Sequence, residues 1–294
     1  MSDKHDVGGV TTTGHVWDDD LADFANQPPK WWMLGLTASA IWCVVYFLYY
    51  PSFPLSNMHS FFKGIGGWTA ITEMEADKSL VDEVRGKYEA KLKDMTPAAI
   101  LADSELTEYV TRSGKVLFGD NCAACHGTNG VGTADKQGFM APILRDDDWL
   151  FGGKIGDIHT SITAGRAGVM VAHKDVLSAA EIDELANAIA AGKPTSSPLF
   201  AGKGNCTACH GPDGKGMAAM GSANLTDSVW RFDGSVEGIK RTITFGVNNG
   251  SPEARVAQMP SFQAAGKLSD AEMKKLAVYV YKFGGGQPDA PAAK

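Results

Sequence analysis

The 294-residue sequence has few cysteines, and their placement excludes a fold held together by disulfide bonds. Four of the five cysteines stand in two short motifs, and the fifth, Cys43, has no partner. Lysine and arginine are outnumbered by aspartate and glutamate, 27 to 34, and the net charge of −7 argues against nucleic acid as a ligand. The stretch 31–50 has no charged residue and none of the seven histidines. An oxygen-reducing copper centre, which needs several histidines inside the membrane, is therefore excluded for this chain.

The uncharged stretch 31–50 has the length of a membrane span. Its twenty residues, at a rise of about 1.5 Å per residue, cover about 30 Å, the thickness of the hydrocarbon core. Aromatic pairs mark both ends, Trp31-Trp32 and Tyr49-Tyr50. A secretory signal has a short basic head and a shorter apolar core, whereas an aspartate-rich segment precedes this one. We predict a retained transmembrane helix over 31–50 after a solvated, mobile tail over 1–30.

The most informative motif occurs twice, as C-A-A-C-H at 122–126 and C-T-A-C-H at 206–210. C-x-x-C-H is the attachment site of a c-type haem: the two thiols form thioethers with the porphyrin, and the histidine binds the iron. A zinc knuckle or a thioredoxin-like redox pair is the alternative. Two complete motifs favour haem. We predict two covalently bound haem c groups, attached through Cys122, Cys125, Cys206 and Cys209, with His126 and His210 as iron ligands.

From about residue 104 the sequence repeats itself. Trp149 and Trp230 are separated by 81 positions, and so are Gly165 and Gly246. In both repeats a serine and a glutamate three residues apart form a capping box that opens a terminal helix. We predict a mainly α fold: one N-terminal transmembrane helix followed by two tandem class I cytochrome c domains. The predicted segments are a juxtamembrane loop and amphipathic helix over 51–103, domains over 104–193 and 194–287 joined by a linker at 194–198, and a flexible tail over 288–294.

An iron that only carries electrons needs a second strong axial ligand. A thioether sulfur raises the reduction potential, so a methionine is expected in each repeat. Met170 and Met259 are predicted as these ligands, because each lies between the matching glycine, Gly165 or Gly246, and the terminal helix. The other candidates are predicted to pack near a haem edge or to lie in loops: Met140, Met217 and Met220, with His173 as an exposed loop residue.

Several roles stay open at this level. Trp149 and Trp230 serve either core packing or donation of the indole N–H to a haem propionate. Arg166 is a candidate for neutralising a propionate, although Val247 stands at the matching position of the second repeat. The amphipathic helix predicted over 71–93 packs on the nearest haem domain or faces a partner.

The sequence resembles the dihaem subunit of bacterial cbb3-type cytochrome c oxidase in its single-span form. The resemblance covers residues 30–285 and is carried by four stretches: Trp31-Trp32, Gly66–Thr69, Asp147–Gly153 and Thr163–Met170. Two departures stand out. Val171 follows Met170 where the family usually has proline, and Pro142-Ile143-Leu144 stands in place of Pro-Asn-Leu.

The resemblance implies an electron relay that is no enzyme on its own. The implied partners are the catalytic haem b/copper subunit and a monohaem cytochrome c subunit of the same complex, with a cytochrome c or a quinol-oxidising complex as donor. Because cytochrome c matures outside the bacterial inner membrane, we expect a cytoplasmic N-terminus and periplasmic haem domains. Some members of the family pair each methionine with the haem of the other repeat, and the sequence leaves this pairing open.

Two other functions remain alternatives. The first is a self-standing, membrane-anchored dihaem cytochrome that serves another reductase. The second is a dihaem peroxidase, which requires one haem with an open or displaceable ligand. Co-purification distinguishes the first alternative from an oxidase subunit, and peroxide turnover by the isolated chain identifies the second.

Overall fold

The structure, a computed structural model, describes residues 6–7, 10–18, 21–51, 64–132 and 141–288. The chain forms two compact units, Met1–Val84 and Arg85–Lys294. Three of the predicted features lie outside the described residues: Met140, most of the juxtamembrane loop, and the end of the C-terminal tail.

The N-terminal segment contains strands, which the prediction of a solvated, mobile tail over 1–30 did not include. β1 (Asp6–Val7), β2 (Val10–Trp17) and β3 (Leu21–Phe24) form an antiparallel sheet in this order. β2 is rich in valine and threonine, which favour extended backbone. Asp18, which follows β2, has a φ of 49°, a conformation that aspartate adopts more readily than most residues. The high acid content of the segment concealed this β-hairpin pattern.

The predicted membrane span is present as the helix α1 (Lys30–Tyr49), one residue earlier than expected at each end. None of its residues is buried within the described part of the chain, and large apolar side chains such as Trp31, Leu34 and Trp42 are exposed. Among the described residues it is the one helix long and apolar enough to cross a membrane. A helix that is apolar on all sides requires an apolar environment, which a bilayer supplies.

Residues 64–69 fold back on the C-terminal end of α1. The amides of Ile65 and Gly66 donate to the carbonyls of Leu48 and Tyr49, at 2.9 and 3.0 Å. These carbonyls lie in the last turn of the helix, where no further helical amide is available to them. The turn at Ile65 and Gly66 therefore caps the C-terminal end of α1.

The predicted amphipathic helix is present as α2 (Ala70–Asp94), and its last turns belong to the second unit. Leu92 is fully buried there. Glu89 accepts hydrogen bonds from Tyr109 and from the buried Lys275. Burial alone would raise the pKa of Glu89, but these two hydrogen bonds hold that pKa below its usual value. The C-terminal end of α2 thus packs on the neighbouring core.

The rest of the second unit is built from short helices. Ser178 and Ser269 open two of them as capping boxes with Glu181 and Glu272, as predicted. The helices are α3 (Pro97–Ala102), α4 (Ser104–Asn121), α5 (Ala123–His126), α6 (Ile155–Ala164), α7 (Ala179–Ala190), α8 (Pro198–Ala201), α9 (Thr207–His210), α10 (Val236–Phe245) and α11 (Asp270–Tyr281), with a 3-10 turn at Pro194–Ser196.

The two hydrophobic cores of this unit exchange their terminal helices. The first core combines α3, which precedes the first repeat, and α4 and α6 of that repeat with α11, the last helix of the second repeat. Leu276 and Val278 of α11 are fully buried in this core, together with Val110 and Phe118 of α4. The first repeat is therefore completed by the end of the chain.

The second core lies within a single stretch of the chain. Its buried members run from Leu177 to Ile243, and they bring α7 against α8 and α10. Leu185 of α7 and Phe200 of α8 are almost fully buried in it. The boundary predicted between 193 and 194 follows the sequence repeat, but it passes through this core. The packed units therefore differ from the predicted domains in one respect: α7 packs with the second repeat, and α11 packs with the first.

The predicted linker at 194–198 is part of the second core. Pro194 is among the fully buried side chains. The buried Ser197 hydroxyl donates to a carboxylate oxygen of Glu184 on α7, at 2.6 Å. This segment therefore joins α7 to α8 within one packed structure.

Candidate functional site

The first cysteine motif lies at the C-terminal end of α4. Cys122 ends α4 and begins the single turn α5, in which the amide of His126 donates to the carbonyl of Cys122 at 2.9 Å. Cys122 packs against the first core and Cys125 is exposed. The His126 side chain is buried, with an exposed fraction of 8%. The motif therefore extends from the core to the surface.

The second cysteine motif has the same local structure at α9. The amide of His210 donates to the carbonyl of Cys206 at 2.8 Å. Cys206 packs against the second core and Cys209 is exposed. A cavity of about 250 Å³ adjoins the motif. It is lined by both cysteines and His210, together with apolar side chains that include Leu185, Ile239 and Ile243.

Both motif histidines are oriented by a backbone carbonyl. The Nδ1 atom of His126 lies 3.0 Å from the oxygen of Pro142, and that of His210 lies 2.9 Å from the oxygen of Ala223. A carbonyl only accepts hydrogen bonds, so Nδ1 carries the proton and Nε2 keeps its lone pair. Burial lowers the pKa of both imidazoles, which also favours the neutral form. This is the tautomer that binds iron.

The two carbonyl acceptors were not identified from the sequence. Pro142 and Ala223 are separated by 81 positions, the same spacing as Trp149 and Trp230. A leucine follows two residues later in both repeats, as Pro142-Ile-Leu and Ala223-Asn-Leu. The repeat register therefore contained the signal, but a backbone acceptor has no side chain that marks it.

The thiols of the motifs are in surroundings that oppose thiolate chemistry. Burial, with a smaller contribution from Cys125, raises the pKa of Cys122 to about 12. Burial also raises the pKa of Cys206. Zinc ligands and redox-active cysteines act as thiolates and lie where that pKa is lowered. A thioether has no charge, so the same apolar surroundings fit a covalently attached porphyrin.

The two predicted methionines occupy matching positions in opposite cores. Met170, from the first repeat, packs against the second core and lines the cavity beside His210. Met259, from the second repeat, packs against the first core, as does Cys122. The structure therefore brings each methionine into the core that holds the other repeat's cysteine motif.

Backbone hydrogen bonds hold both methionine segments in place. Met170 exchanges two hydrogen bonds with Val247, at 2.9 and 3.0 Å. Met259 exchanges two with Arg166, at 2.8 and 2.9 Å. Val247 and Arg166 each follow the repeated glycine, so the two pairings are equivalent. The exchange of methionines is thus built into the backbone.

The repeated glycines allow the methionine segments to approach closely. Gly165 and Gly246 end α6 and α10 with φ values of +71° and +75°. A Cβ atom on Gly165 would lie 2.5 Å from the carbonyl oxygen of Met259, and one on Gly246 would be closer still to that of Met170. Any side chain at either position would push the methionine segment away.

Replacing Gly246 with alanine is expected to destabilise the second unit by at least about 2 kcal/mol, since the positive φ alone costs about 1–2 kcal/mol. Thermal unfolding measures this loss. Gly156→Ala is the matched control, because Gly156 lies inside α6 with open space around its Cα atom. That change should be neutral or stabilising by about 0.5–1 kcal/mol. Equal unfolding temperatures for the two variants would contradict the role assigned to Gly246.

Other predicted residues near the second cavity are His173, Met220 and Met217. His173 and Met220 line the cavity, although Met220 is half exposed. His173 is not the exposed loop residue that was predicted: its Nε2 atom lies 3.2 Å from the Gly204 oxygen, and its buried Nδ1 has no hydrogen-bond partner among the described residues. Met217 is partly buried, and its backbone amide donates to the Ser222 hydroxyl at 2.9 Å.

Trp149 has a structural hydrogen bond. Its indole N–H donates to the carbonyl of Gly285 at 2.7 Å, and the amide of Gln287 donates to Gly153 at 2.8 Å. The start of the C-terminal tail is therefore attached to the first core. Trp230 lines the second cavity instead. Of the two roles left open for these tryptophans, packing is the one that Trp149 fulfils.

Arg166 is engaged within the protein. Its Nε atom donates to the Ser161 hydroxyl at 2.9 Å, and its guanidinium lies 4.6 Å from the ring centroid of Phe151. These contacts hold the side chain beside the turn that ends α6. They give Arg166 a structural role next to the Met259 segment.

Two known families match this chain. The family described as cytochrome C oxidase, cbb3-type, subunit III matches residues 110–187 and again 198–280. The N-terminal domain of cytochrome oxidase-cbb3, FixP, matches residues 9–57. The first match occurs twice, in agreement with the repeat and with tandem cytochrome c domains.

Curated relatives match over nearly their whole length. A cbb3-type cytochrome c oxidase subunit FixP from Azorhizobium caulinodans is 36% identical, over 96% of this chain and 95% of its own. One from Bradyrhizobium sp. is 34% identical, over 97% and 99%. A subunit CcoP from Cereibacter sphaeroides is 32% identical, over 97% and 98%. With both motifs, the apolar helix and the repeat accounted for, this chain belongs to the subunit III family of cbb3-type cytochrome c oxidases.

Proposed function

We propose that this protein is the membrane-anchored dihaem subunit of a cbb3-type oxidase and relays electrons towards its oxygen-reducing subunit. One observation carries the proposal. Each motif histidine is held by a carbonyl at Nδ1, with Nε2 available for iron, in a core that also receives a methionine. Membership of a family of oxidase subunits agrees with this role.

Two haem c groups are proposed, one at each motif. Cys122 and Cys125 would attach the first, and Cys206 and Cys209 the second. When bound, each haem supplies a one-electron couple. The surrounding apolar side chains exclude water, and covalent attachment keeps the group in place at any oxidation state.

The axial ligands are proposed to be exchanged between the repeats. His126 pairs with Met259 at the first haem, and His210 pairs with Met170 at the second. The packing of the two methionines in opposite cores supports this pairing. Two protein ligands leave no open position on either iron, so the sites fit electron transfer better than peroxide chemistry.

The orientation and partners follow from the same function. The N-terminal segment before Lys30 is proposed to be cytoplasmic and the haem domains periplasmic, where c-type haems are attached. The relatives are named as subunits of an oxidase complex, so other subunits of that complex are the expected contacts. Specifically, we propose a haem b/copper catalytic subunit and a monohaem cytochrome c subunit as neighbours. A cytochrome c or a quinol-oxidising complex would be the electron donor.

Affinity purification of the full chain from detergent-solubilised membranes tests this function. A multi-span subunit with haem b and copper should co-purify, and this chain should retain two haems after acid–acetone extraction. Purification with a different reductase would favour the self-standing cytochrome. Peroxide turnover by the isolated chain would favour a peroxidase.

A further inference from the structure

The residue that follows the repeated tryptophan is apolar in the first repeat and positively charged in the second. It is Leu150 after Trp149 and Arg231 after Trp230. Trp149 packs against the first core, yet Leu150 lines the second cavity. The position after the tryptophan therefore lies where the two haem sites meet.

Arg231 lies at the second site. Its side chain lines the cavity that holds Cys206, Cys209 and His210. The guanidinium therefore faces the space beside the second cysteine motif.

The charge of Arg231 is retained in partly apolar surroundings. Burial lowers the pKa of the guanidinium, but arginine stays protonated at any physiological pH. The side chain is only partly exposed and lies beside the Phe232 ring, with 5.7 Å between guanidinium carbon and ring centroid. In such surroundings a charge is screened less than at the surface, so its effect extends further.

We propose that Arg231 binds a propionate of the second haem and is the charge that sets how electrons divide between the two haems. The inference rests on the proposed dihaem function. The planar fork of a guanidinium matches a carboxylate, and a haem c carries two propionates. Loss of a positive charge from the iron on reduction is favoured by a fixed cation nearby. Since Arg231 lines the second cavity, it raises the potential of the second haem more than that of the first.

The pseudo-repeat itself supplies the test variant. Arg231→Leu introduces the residue that the first repeat has at this position, and Arg231→Lys keeps the charge without the fork. Arg241→Leu is the control, because Arg241 is exposed on α10 and its replacement also removes one positive charge. Arg231→Gln is a second neutral variant that remains polar, should leucine disturb haem attachment.

Redox titration of the full dihaem chain, followed by its absorption spectrum, measures both midpoint potentials. We expect Arg231→Leu and Arg231→Gln to lower the equilibrium constant for reduction of the second haem at least tenfold. This corresponds to a fall of about 59 mV in its midpoint potential. The first haem should shift in the same direction by less. Arg231→Lys should shift both less than the neutral variants do, and Arg241→Leu should match the unchanged chain.

Two results would overturn the inference. One is unchanged potentials in both neutral variants with two haems still bound. The other is an equal shift in Arg241→Leu, which would make the effect one of net charge. Failure of the underlying function looks different, because fewer than two covalent haems would then be found in the unmodified chain.

Discussion

Replacing Met170 with leucine is expected to change the haem attached in the second repeat and to spare the haem of the repeat to which Met170 belongs. Leucine keeps the volume and apolar character but removes the sulfur. The iron bound by His210 should become high-spin or open to added ligands. The equilibrium constant for its reduction should fall at least tenfold, because the thioether favoured the ferrous state. The midpoint potential should fall by about 59 mV accordingly. Met259→Leu should do the same to the iron bound by His126.

The two haems can be told apart by removing one of them. In a chain with Cys206→Ala and Cys209→Ala, only the haem of the first motif remains. The oxidised protein should have a weak absorption band that arises from the bond between the haem iron and the methionine sulfur, called here the iron–sulfur band. In this chain Met259→Leu should abolish that band, and Met170→Leu should leave it intact. The opposite outcome would mean that each methionine serves its own repeat. In a chain with Cys122→Ala and Cys125→Ala, which keeps only the second haem, Met217→Leu and Met220→Leu are the controls, and loss of the band in Met220→Leu would transfer the ligand role to Met220.

A fragment that spans 167–257 is expected to fold alone, whereas the sequence repeat 194–287 is not. All buried members of the second core lie between Leu177 and Ile243, so the first fragment retains them. The repeat 194–287 lacks α7, and its α11 has no α4 to pack on. Truncating one buried leucine such as Leu185 costs about 2–5 kcal/mol. Losing a whole helix exceeds the total stability of about 5–15 kcal/mol for a domain.

Both fragments can be exported with a cleavable signal and compared. Each should carry covalent haem, because attachment depends on the cysteines. The 167–257 fragment should show a cooperative thermal transition and the iron–sulfur band from Met170. The 194–287 fragment should show neither. A cooperative transition in 194–287 would contradict the helix exchange seen in the two cores.

The exchange links the backbones of the two repeats. The Met259 segment is bonded to Arg166, and the Met170 segment is bonded to Val247. Each proposed site therefore contains backbone from both repeats.

The sequence alone was sufficient for the features whose chemistry is local. A haem attachment motif needs five consecutive residues, a membrane span needs an uninterrupted apolar run, and a capping box needs a serine and a glutamate three residues apart. The family was predicted from such stretches, and the matches to known families and relatives confirm it. The β-hairpin over 10–24 was missed, because its valines and threonines lie among aspartates that favour disorder.

The tertiary structure decided which terminal helix and which methionine pack in each core. α7 and α11 carry the same apolar spacing and the same capping box, so either helix fits either core as far as the sequence pattern can show. The choice depends on contacts between residues far apart in the chain, such as Gly165 with Met259 and Gly246 with Met170. An internal repeat makes the two alternatives nearly equal in local preference. Only the packing of the whole chain distinguishes them.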